Sequence, residues 1–400
     1  MPHMDLKRAQ ELMKKRGVDA LVASTVPNVS YTSGFTGYKI RVVGRLMLTI
    51  VPADPALAPT LIVDAMSEEP ARQKSYIEDI RTYPAWQCMA SLDDVIQGKV
   101  TKPSDLPQAV SLEYIVGVHS DILREKGLHD GTIGIEQNLF KSPAYQILSN
   151  QNPKAKFVEA ESIFWEIRKV KTEDEIKALK LAAELGVKGI QAVVEGNVLG
   201  ATIGELQRKY KMGVLQATTG LKDLDLEFLH CLISSGDHSS VELPGYRVAK
   251  GEALFIDNGV SVSGYNSDMS RTFVVGKPSD LQKNIYAALR AGYEEGLSRI
   301  KPGMKMKELY RVIHDTVHKS GLEWFARGNV GHMLGIGSPI EQPPRASADE
   351  ETEFEPNMVV TIEVGTYVIG FAAFNIEDVI LVTREGHEVF TKLPRDMIEL

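Results

Sequence analysis

The chain has 400 residues, 43% of them apolar, and this length predicts two domains rather than one ordinary core. Its formal net charge of −8, with no dense run of Lys and Arg beyond residues 14–16, argues against nucleic acid as a partner. Its 2 cysteines are too few for a disulfide framework or a thiolate metal site. No apolar stretch reaches the roughly 20 residues that span a bilayer, so we expect a cytoplasmic protein with no membrane partner.

The first part of the chain alternates helical patterns with short β-rich runs. An amphipathic helix is predicted up to Gly17, and its acidic residues are unlike those of a signal or transit peptide. Strands are predicted at four β-rich runs, 19–23, 45–51, 60–63 and 132–135. Because strands alternate with helices, residues 1–160 are predicted to form an α/β layer domain.

A second domain is predicted over residues 161–400. A long helix is expected to open it after Thr172, which has a capping-box spacing with Glu175. The pattern beyond this helix gives strand, helix and strand blocks in turn, around 228–275, 280–321 and 357–391. Blocks of this kind are typical of an α+β domain.

Carboxylates stand inside three apolar runs of this second domain, where an unpaired acid is costly to bury. The runs that hold Asp257, Glu363 and Glu377 contain no Lys or Arg, and Asp268 follows Asp257 by eleven residues. A bound cation is the simplest partner for these acids. Each acid alone also has an ordinary reading, since Asp257 precedes Asn-Gly as in a hairpin turn and Glu363 can end a strand.

The neighbouring sequence favours the cation. Ser263 and Gly264 offer a later turn, which lets Asp257 remain in one strand and returns Asp268 beside it on the next. His332 lies between Gly331 and Met333, where the glycine allows close backbone approach, although a lone histidine is more often structural.

The four carboxylates and this one imidazole suit divalent ions. Mn²⁺ is the expected ion, with Co²⁺, Zn²⁺ or Fe²⁺ as alternatives. Five such ligands are enough for two ions per chain, and an ion pair holds a bridging hydroxide at neutral pH and polarises a carbonyl. The pattern therefore indicates hydrolytic chemistry.

The order of these residues resembles that of the pita-bread metallopeptidases, the family of methionine aminopeptidase, Xaa-Pro aminopeptidase, prolidase and creatinase. The likeness rests on the spacing of Asp257 and Asp268, on His332 in a Gly-His-x-x-Gly segment, and on the Thr-Ile-Glu-x-Gly and Ile-Glu-Asp segments of Glu363 and Glu377. The resemblance implies that Asp257 binds one ion, that Asp268 and Glu377 bridge two, and that His332 and Glu363 complete the other. It also implies that Glu363 and His332 are catalytic, with Glu363 carrying a proton from the hydroxide to the leaving nitrogen.

The N-terminal part of the chain shares the likeness. Residues 19–21 and 28–35 look like the N-terminal domain of the prolidase and creatinase branch, and residues 168–176 look like its linker. The resemblance therefore implies an α+β fold in which a pita-bread catalytic domain follows a smaller, creatinase-like α/β domain. It also implies a homodimer, in which the N-terminal domain borders the active site of the second copy.

The expected activity is hydrolysis of Xaa-Pro dipeptides, as in prolidase. Three alternatives on the same fold stay open: an Xaa-Pro aminopeptidase acting on longer proline-containing peptides, a non-peptide C–N hydrolase like creatinase or ectoine hydrolase, and a non-enzymatic binding protein. The complete set of five ligands favours a metal-dependent enzyme over the last two.

Three positions depart from the family pattern. The second histidine of the family, seven residues after the ligand histidine, is Pro339 in this chain, and the arginine two residues before the last ligand glutamate is Asn375. The histidine that precedes the first ligand aspartate has only a misaligned counterpart, His238. The surroundings of the substrate are therefore expected to differ from those of the family.

Other residues are predicted to take over these substrate contacts. His230, His238 and Tyr265 are the candidate hydrogen-bond donors to the reacting carbonyl. Arg41 and Arg45 are the candidate partners of a dipeptide carboxylate, reached across the dimer, although a hairpin with solvated basic residues explains them equally well.

Overall fold

A computed structural model describes residues 4–35, 46–85, 90–99, 110–222, 224–238 and 243–400. Arg41 and Arg45 lie outside these ranges, so their role stays a prediction. The chain divides into two units, Met1–Arg168 and Lys169–Leu400. Among the described helices, none is both long enough and apolar enough to cross a lipid bilayer.

The first unit contains a sheet with parallel and antiparallel strand pairs, and helices connect most of its strands. Its described helices are α1 Leu6–Arg16, α2 Val26–Ser33, α3 Glu68–Lys74, α4 Leu92–Ile96, α5 Leu112–Glu125, α6 Gln137–Phe140, α7 Pro143–Gln151 and α8 Glu161–Arg168. Its described strands are β1 Ala20–Ala23, β2 Leu48–Pro52, β3 Thr60–Asp64, β4 Asp79–Tyr83, β5 Thr132–Ile135 and β6 Lys156–Glu159. They lie in the order β4-β3-β2-β1-β5-β6. The four predicted strands are confirmed, and the two strands that were not predicted lie at the sheet edges, where charged residues interrupt the apolar pattern.

The boundary between the units lies after α8, not before it at residue 160 as predicted. This helix contacts α1, and Nη2 of Arg16 lies 2.5 Å from Oε2 of Glu166. Packing against α1 therefore assigns α8 to the first unit.

The second unit holds the longer helices and a larger, mostly antiparallel sheet. Its described helices are α9 Glu173–Val194, α10 Ile203–Ala217, α11 Asp280–Arg299 and α12 Met306–Lys319. Its described strands are β7 Leu226–Ser235, β8 Ala253–Val262, β9 Tyr265–Asn266, β10 Met269–Val274, β11 Asn329–Met333, β12 Gln342–Ser347, β13 Val359–Val368, β14 Ala372–Val382, β15 His387–Val389 and β16 Ile398–Glu399. The main path of the sheet runs β12-β11-β13-β14-β10-β8-β7, and β9, β15 and β16 pair with β8, β14 and β10.

Helix α9 begins with the predicted capping box. The backbone N–H of Glu175 donates to the Thr172 hydroxyl at 3.4 Å, and the Thr172 N–H donates to Oε2 of Glu175 at 2.8 Å. The two bonds satisfy backbone donors that a helix start leaves unpaired.

The apolar core of this unit lies between one face of the sheet and helices α11 and α12, so the functional side chains are expected on the other face. Ile362, Val364 and Ile376 belong to a buried cluster with apolar residues of α11 and α12, such as Leu289 and Ile313. Because successive strand residues point to opposite faces, the residues that alternate with them, on β13 and β14, face away from these helices.

Candidate metal centre

Asp257 lies within β8 and not in a hairpin turn. The chain turns at Ser263 and Gly264, which both have positive φ, and returns through β9 to Asp268, just before β10. Strand β10 then pairs with β8 so that Ser270 is opposite Asp257. The predicted placement of Asp257 within a strand is confirmed, and Asp268 returns beside it as predicted but lies one residue before the neighbouring strand instead of on it.

A row of opposite residues carries three of the acids across the sheet. Asp257 on β8 pairs with Ser270 on β10, Ser270 pairs with Glu377 on β14, and Glu377 pairs with Glu363 on β13. Directly opposite residues share a face of the sheet. The row therefore places these three carboxylates on the face that α11 and α12 leave free.

Two groups of potential ligands share Asp268. In the first group, Nε2 of His230 lies 3.0 Å from Oδ1 of Asp257 and 3.3 Å from Oδ1 of Asp268. In the second, Nε2 of His332 lies 3.7 Å from Oδ2 of Asp268 and 3.8 Å from Oε1 of Glu377. Each group offers one imidazole nitrogen and carboxylate oxygens, a donor set that fits a divalent transition-metal ion.

His332 is positioned by the close approach of two strands. A Cβ atom on Gly331 would lie 2.2 Å from the carbonyl oxygen of Thr361 on β13, so only glycine lets β11 come this near. Nδ1 of His332 lies 3.1 Å from the carbonyl oxygen of Met333. Donation of an Nδ1–H to that carbonyl leaves the lone pair of Nε2 directed at the two carboxylates.

Glu363 is held by groups of the protein. Oε2 of Glu363 lies 2.5 Å from Nη2 of Arg327, and the Asn375 amide donates to Oε1 at 3.0 Å. Glu363 thus lies opposite Glu377 but in neither ligand group. Its role as a ligand and proton carrier stays a prediction.

The acids of the site raise one another's pKa. Burial raises the pKa of Glu377 well above its usual range, and the charges of Asp268, Glu363 and Asp257 raise it further. Burial and the charge of Asp268 raise the pKa of Asp257 to about 6. Burial disfavours the charged imidazole of His230, but the hydrogen bonds and charges of Asp257 and Asp268 outweigh burial and raise its pKa to about 10. The cluster therefore favours added positive charge.

Two of the predicted substrate contacts lie outside both ligand groups. His238 ends the short 3₁₀ turn Gly236–His238, where its ring packs against Tyr246 at 4.5 Å between centroids. Tyr265 is buried and belongs to neither group. Of the three candidate donors, only His230 lies among the acids.

Arg327 was missed by sequence reasoning. It belongs to the segment between α12 and β11, five residues before His332, and the sequence has no local signal that pairs it with Glu363. His230 was predicted as a donor to substrate and not as a member of a ligand group. A polar residue inside the β-rich run Leu226–Ser235 was the available signal.

Two family models together match most of the chain. The model of metallopeptidase family M24 matches residues 177–384, and that of the creatinase/prolidase N-terminal domain matches residues 6–170. The chain belongs to metallopeptidase family M24. The predicted family and the predicted order, a creatinase-like domain followed by the catalytic domain, are confirmed, and the chain is a metallopeptidase.

Similar proteins cover from two thirds to nearly all of the chain. An Xaa-Pro dipeptidase of Pyrococcus horikoshii is 27% identical over 401 residues, which cover 98% of each chain. An Xaa-Pro dipeptidase of Pyrococcus furiosus is 30% identical over 272 residues, 67% of this chain and 75% of that protein. The crystal structure of the prolidase from Pyrococcus horikoshii has a TM-score of 0.76 at 25% identity and covers 98% of this chain and 99% of its own.

Proposed function

We propose that this metallopeptidase hydrolyses Xaa-Pro dipeptides and that it does so with two divalent metal ions, Mn²⁺ being the expected metal. The observation that carries the proposal is the pair of ligand groups that share Asp268. Asp257, Asp268, His332, Glu363 and Glu377 are the residues that would hold the ions. When bound, such an ion pair supplies a hydroxide at neutral pH and polarises the scissile carbonyl.

Glu363 is the proposed proton carrier. Its position opposite Glu377 puts it beside the ligand groups, and Arg327 and the amide of Asn375 fix the direction of its two oxygens. A carboxylate held in this way can take a proton from the attacking water and deliver it to the leaving nitrogen of proline. His332 would bind one ion through Nε2, whose direction is fixed by the contact of Nδ1 with the carbonyl oxygen of Met333.

The substrate class rests on the relatives that are named Xaa-Pro dipeptidase and on the solved prolidase. In this chain Asn375 stands where the family resemblance implies an arginine and donates to Oε1 of Glu363, while the guanidinium of Arg327 supplies a positive charge at the other oxygen, Oε2. The homodimer, and the binding of the substrate carboxylate by Arg41 or Arg45, stay predictions of the sequence.

The test is hydrolysis of Ala-Pro against a tripeptide that begins with Ala-Pro, by protein that has been freed of metal and then given Mn²⁺. We expect release of proline from the dipeptide, its loss with a chelator, and little cleavage of the tripeptide. Asp268→Asn should lower the rate by orders of magnitude while circular dichroism stays unchanged. Asp396→Asn, at an exposed aspartate, is the control.

Each alternative outcome has a distinct meaning. Faster cleavage of the tripeptide would favour an Xaa-Pro aminopeptidase. Near-normal activity of Asp268→Asn would contradict the ligand assignment. No hydrolysis of either peptide by metal-loaded protein would contradict the proposed substrate class.

A further inference from the structure

One ring nitrogen of His230 is directed at two carboxylates of the proposed metal site. Its Nε2 lies 3.0 Å from Oδ1 of Asp257 and 3.3 Å from Oδ1 of Asp268. Its Nδ1 is buried and has no hydrogen-bond partner among the described residues. The contacts of this ring with polar groups are thus made through Nε2, on the side of the acids.

The backbone around His230 leaves space for the ring. The pairing of β7 with β8 shifts its register between Phe228 and His230, and irregularities of this kind re-aim a side chain within a strand. His230 lies opposite Gly259, and a Cβ on that glycine would come within 2.7 Å of Cε1 of the imidazole. Glycine at 259 therefore provides the space that the ring occupies.

The two imidazoles are arranged alike around Asp268. Oδ1 of Asp268 faces Nε2 of His230, and Oδ2 faces Nε2 of His332 at 3.7 Å. Asp257 completes the first group, as Glu377 completes the second. Each oxygen of the shared carboxylate thus has its own imidazole and its own second acid.

We infer that Nε2 of His230 is a further protein ligand of the metal pair and binds the ion held by Asp257. The inference rests on the proposed function, and it adds one residue to the five that the family resemblance implies. It replaces the role first predicted for His230, that of a donor to substrate. It also gives each ion one nitrogen ligand.

A nitrogen ligand changes which metals the site prefers. Carboxylate oxygens suit Mn²⁺, whereas imidazole suits ions later in the series, such as Co²⁺ and Zn²⁺. Removal of His230 should therefore lower the affinity of the Asp257 site for Co²⁺ more than its affinity for Mn²⁺. The ion held by His332 and Glu377 should bind as before.

The experiment titrates metal-free protein with Co²⁺ by calorimetry and records hyperfine-shifted proton NMR signals of coordinated imidazoles. We expect two bound Co²⁺ ions in the unchanged protein and two shifted ring N–H signals. His230→Gln should lower the affinity for one ion at least tenfold, leave the affinity for the other unchanged and remove one of these signals. His129→Gln, at an exposed histidine of the first unit, should change neither measurement.

A second variant guards against misfolding of the first. Gly259→Ala keeps the imidazole but places a methyl group 2.7 Å from its Cε1 and 2.7 Å from the carbonyl oxygen of Ser267. It should weaken binding of the same Co²⁺ ion more than binding of the other, if circular dichroism shows a folded protein. If His230→Gln binds both ions with unchanged affinity and keeps both ring signals, His230 is not a ligand, and the proposed function stands. If the unchanged protein binds no Co²⁺, the proposed function itself fails.

Discussion

Glu377 and Asp378 are neighbours on β14, and both are buried, but their surroundings are opposite in charge. Asp378 accepts hydrogen bonds from Arg271 and Arg395, with Nε of Arg395 at 2.7 Å, and from the Tyr293 hydroxyl. Glu377 instead faces His332 and the other acids of the site. Asp378, which the chain itself neutralises, stabilises the fold, whereas Glu377 is left among other acids and is therefore proposed to bind a cation from outside.

The largest difference between the two positions should be in activity. Glu377→Gln keeps the shape of the side chain but removes a charge from the proposed ion pair, so the rate on Ala-Pro should fall by at least about 100-fold, since even the outer partners of metal ligands contribute about 10- to 100-fold. In metal-free protein the free energy of unfolding should stay unchanged or rise, because a buried and repelled charge is lost. Kinetics and urea unfolding measure the two effects. A large loss of stability without metal would place Glu377 among the structural acids.

The matching change at Asp378 should act on the fold. Asp378→Asn leaves Arg271 buried beside a neutral amide, and removal of one partner of a buried ion pair typically costs about 3–5 kcal/mol. Urea unfolding of metal-free protein should show this loss. Co²⁺ calorimetry on the folded variant should still show two bound ions. A loss below about 1 kcal/mol would mean that the Arg271 pair contributes little to the fold.

His119, a buried ionisable group of the first unit, sharpens the comparison because it has neither the hydrogen-bonded partners of Asp378 nor the neighbouring acids of Glu377. Neither ring nitrogen of His119 has a hydrogen-bond partner among the described residues, and burial lowers its pKa to about 4. An unfolded histidine has a pKa of about 6.5, so between these two values the unfolded chain binds more protons than the folded one. The free energy of unfolding is therefore not reduced by this group above a pH of about 6.5, and it falls by up to about 3 kcal/mol as the pH drops towards 4.

Thermal unfolding at pH 7 and pH 5 tests this loss. His119→Leu should reduce the acid-induced fall in melting temperature, whereas His129→Leu, at an exposed position, should not. Equal falls in both variants would show that His119 is not the group responsible.

The smallest effect is expected where solvent screens the charges. Arg16 and Glu166 form an ion pair at 2.5 Å, but their side chains are 47% and 27% exposed. Arg16→Gln should change the free energy of unfolding by less than about 1 kcal/mol, and added salt should reduce the change. A loss as large as that expected for Asp378→Asn would mean that pairing matters more than burial.

The parts of the fold and site that were predicted depend on local sequence. The capping box of α9 and the turn after β8 each follow from residues a few positions apart. The pairing of Arg327 with Glu363 joins residues far apart in the chain, and no local pattern indicates it. The orientation of His230 depends on an irregularity of strand pairing, which side-chain alternation alone does not reveal.

The hairpin of β13 and β14 links the chemistry of the site to the folding of the sheet that forms it. Its pairing runs from Val359 with Leu381 to Val368 with Ala372, and it brings Glu363 directly opposite Glu377. The strands are close in sequence, so this contact forms with a short loop closure, yet it brings two like charges together. The ion pair of Arg327 with Glu363 offsets part of that repulsion, and protonation of Glu377 or capture of a divalent ion removes the rest. The ion proposed for hydrolysis would therefore also favour the strand register on which its own binding depends.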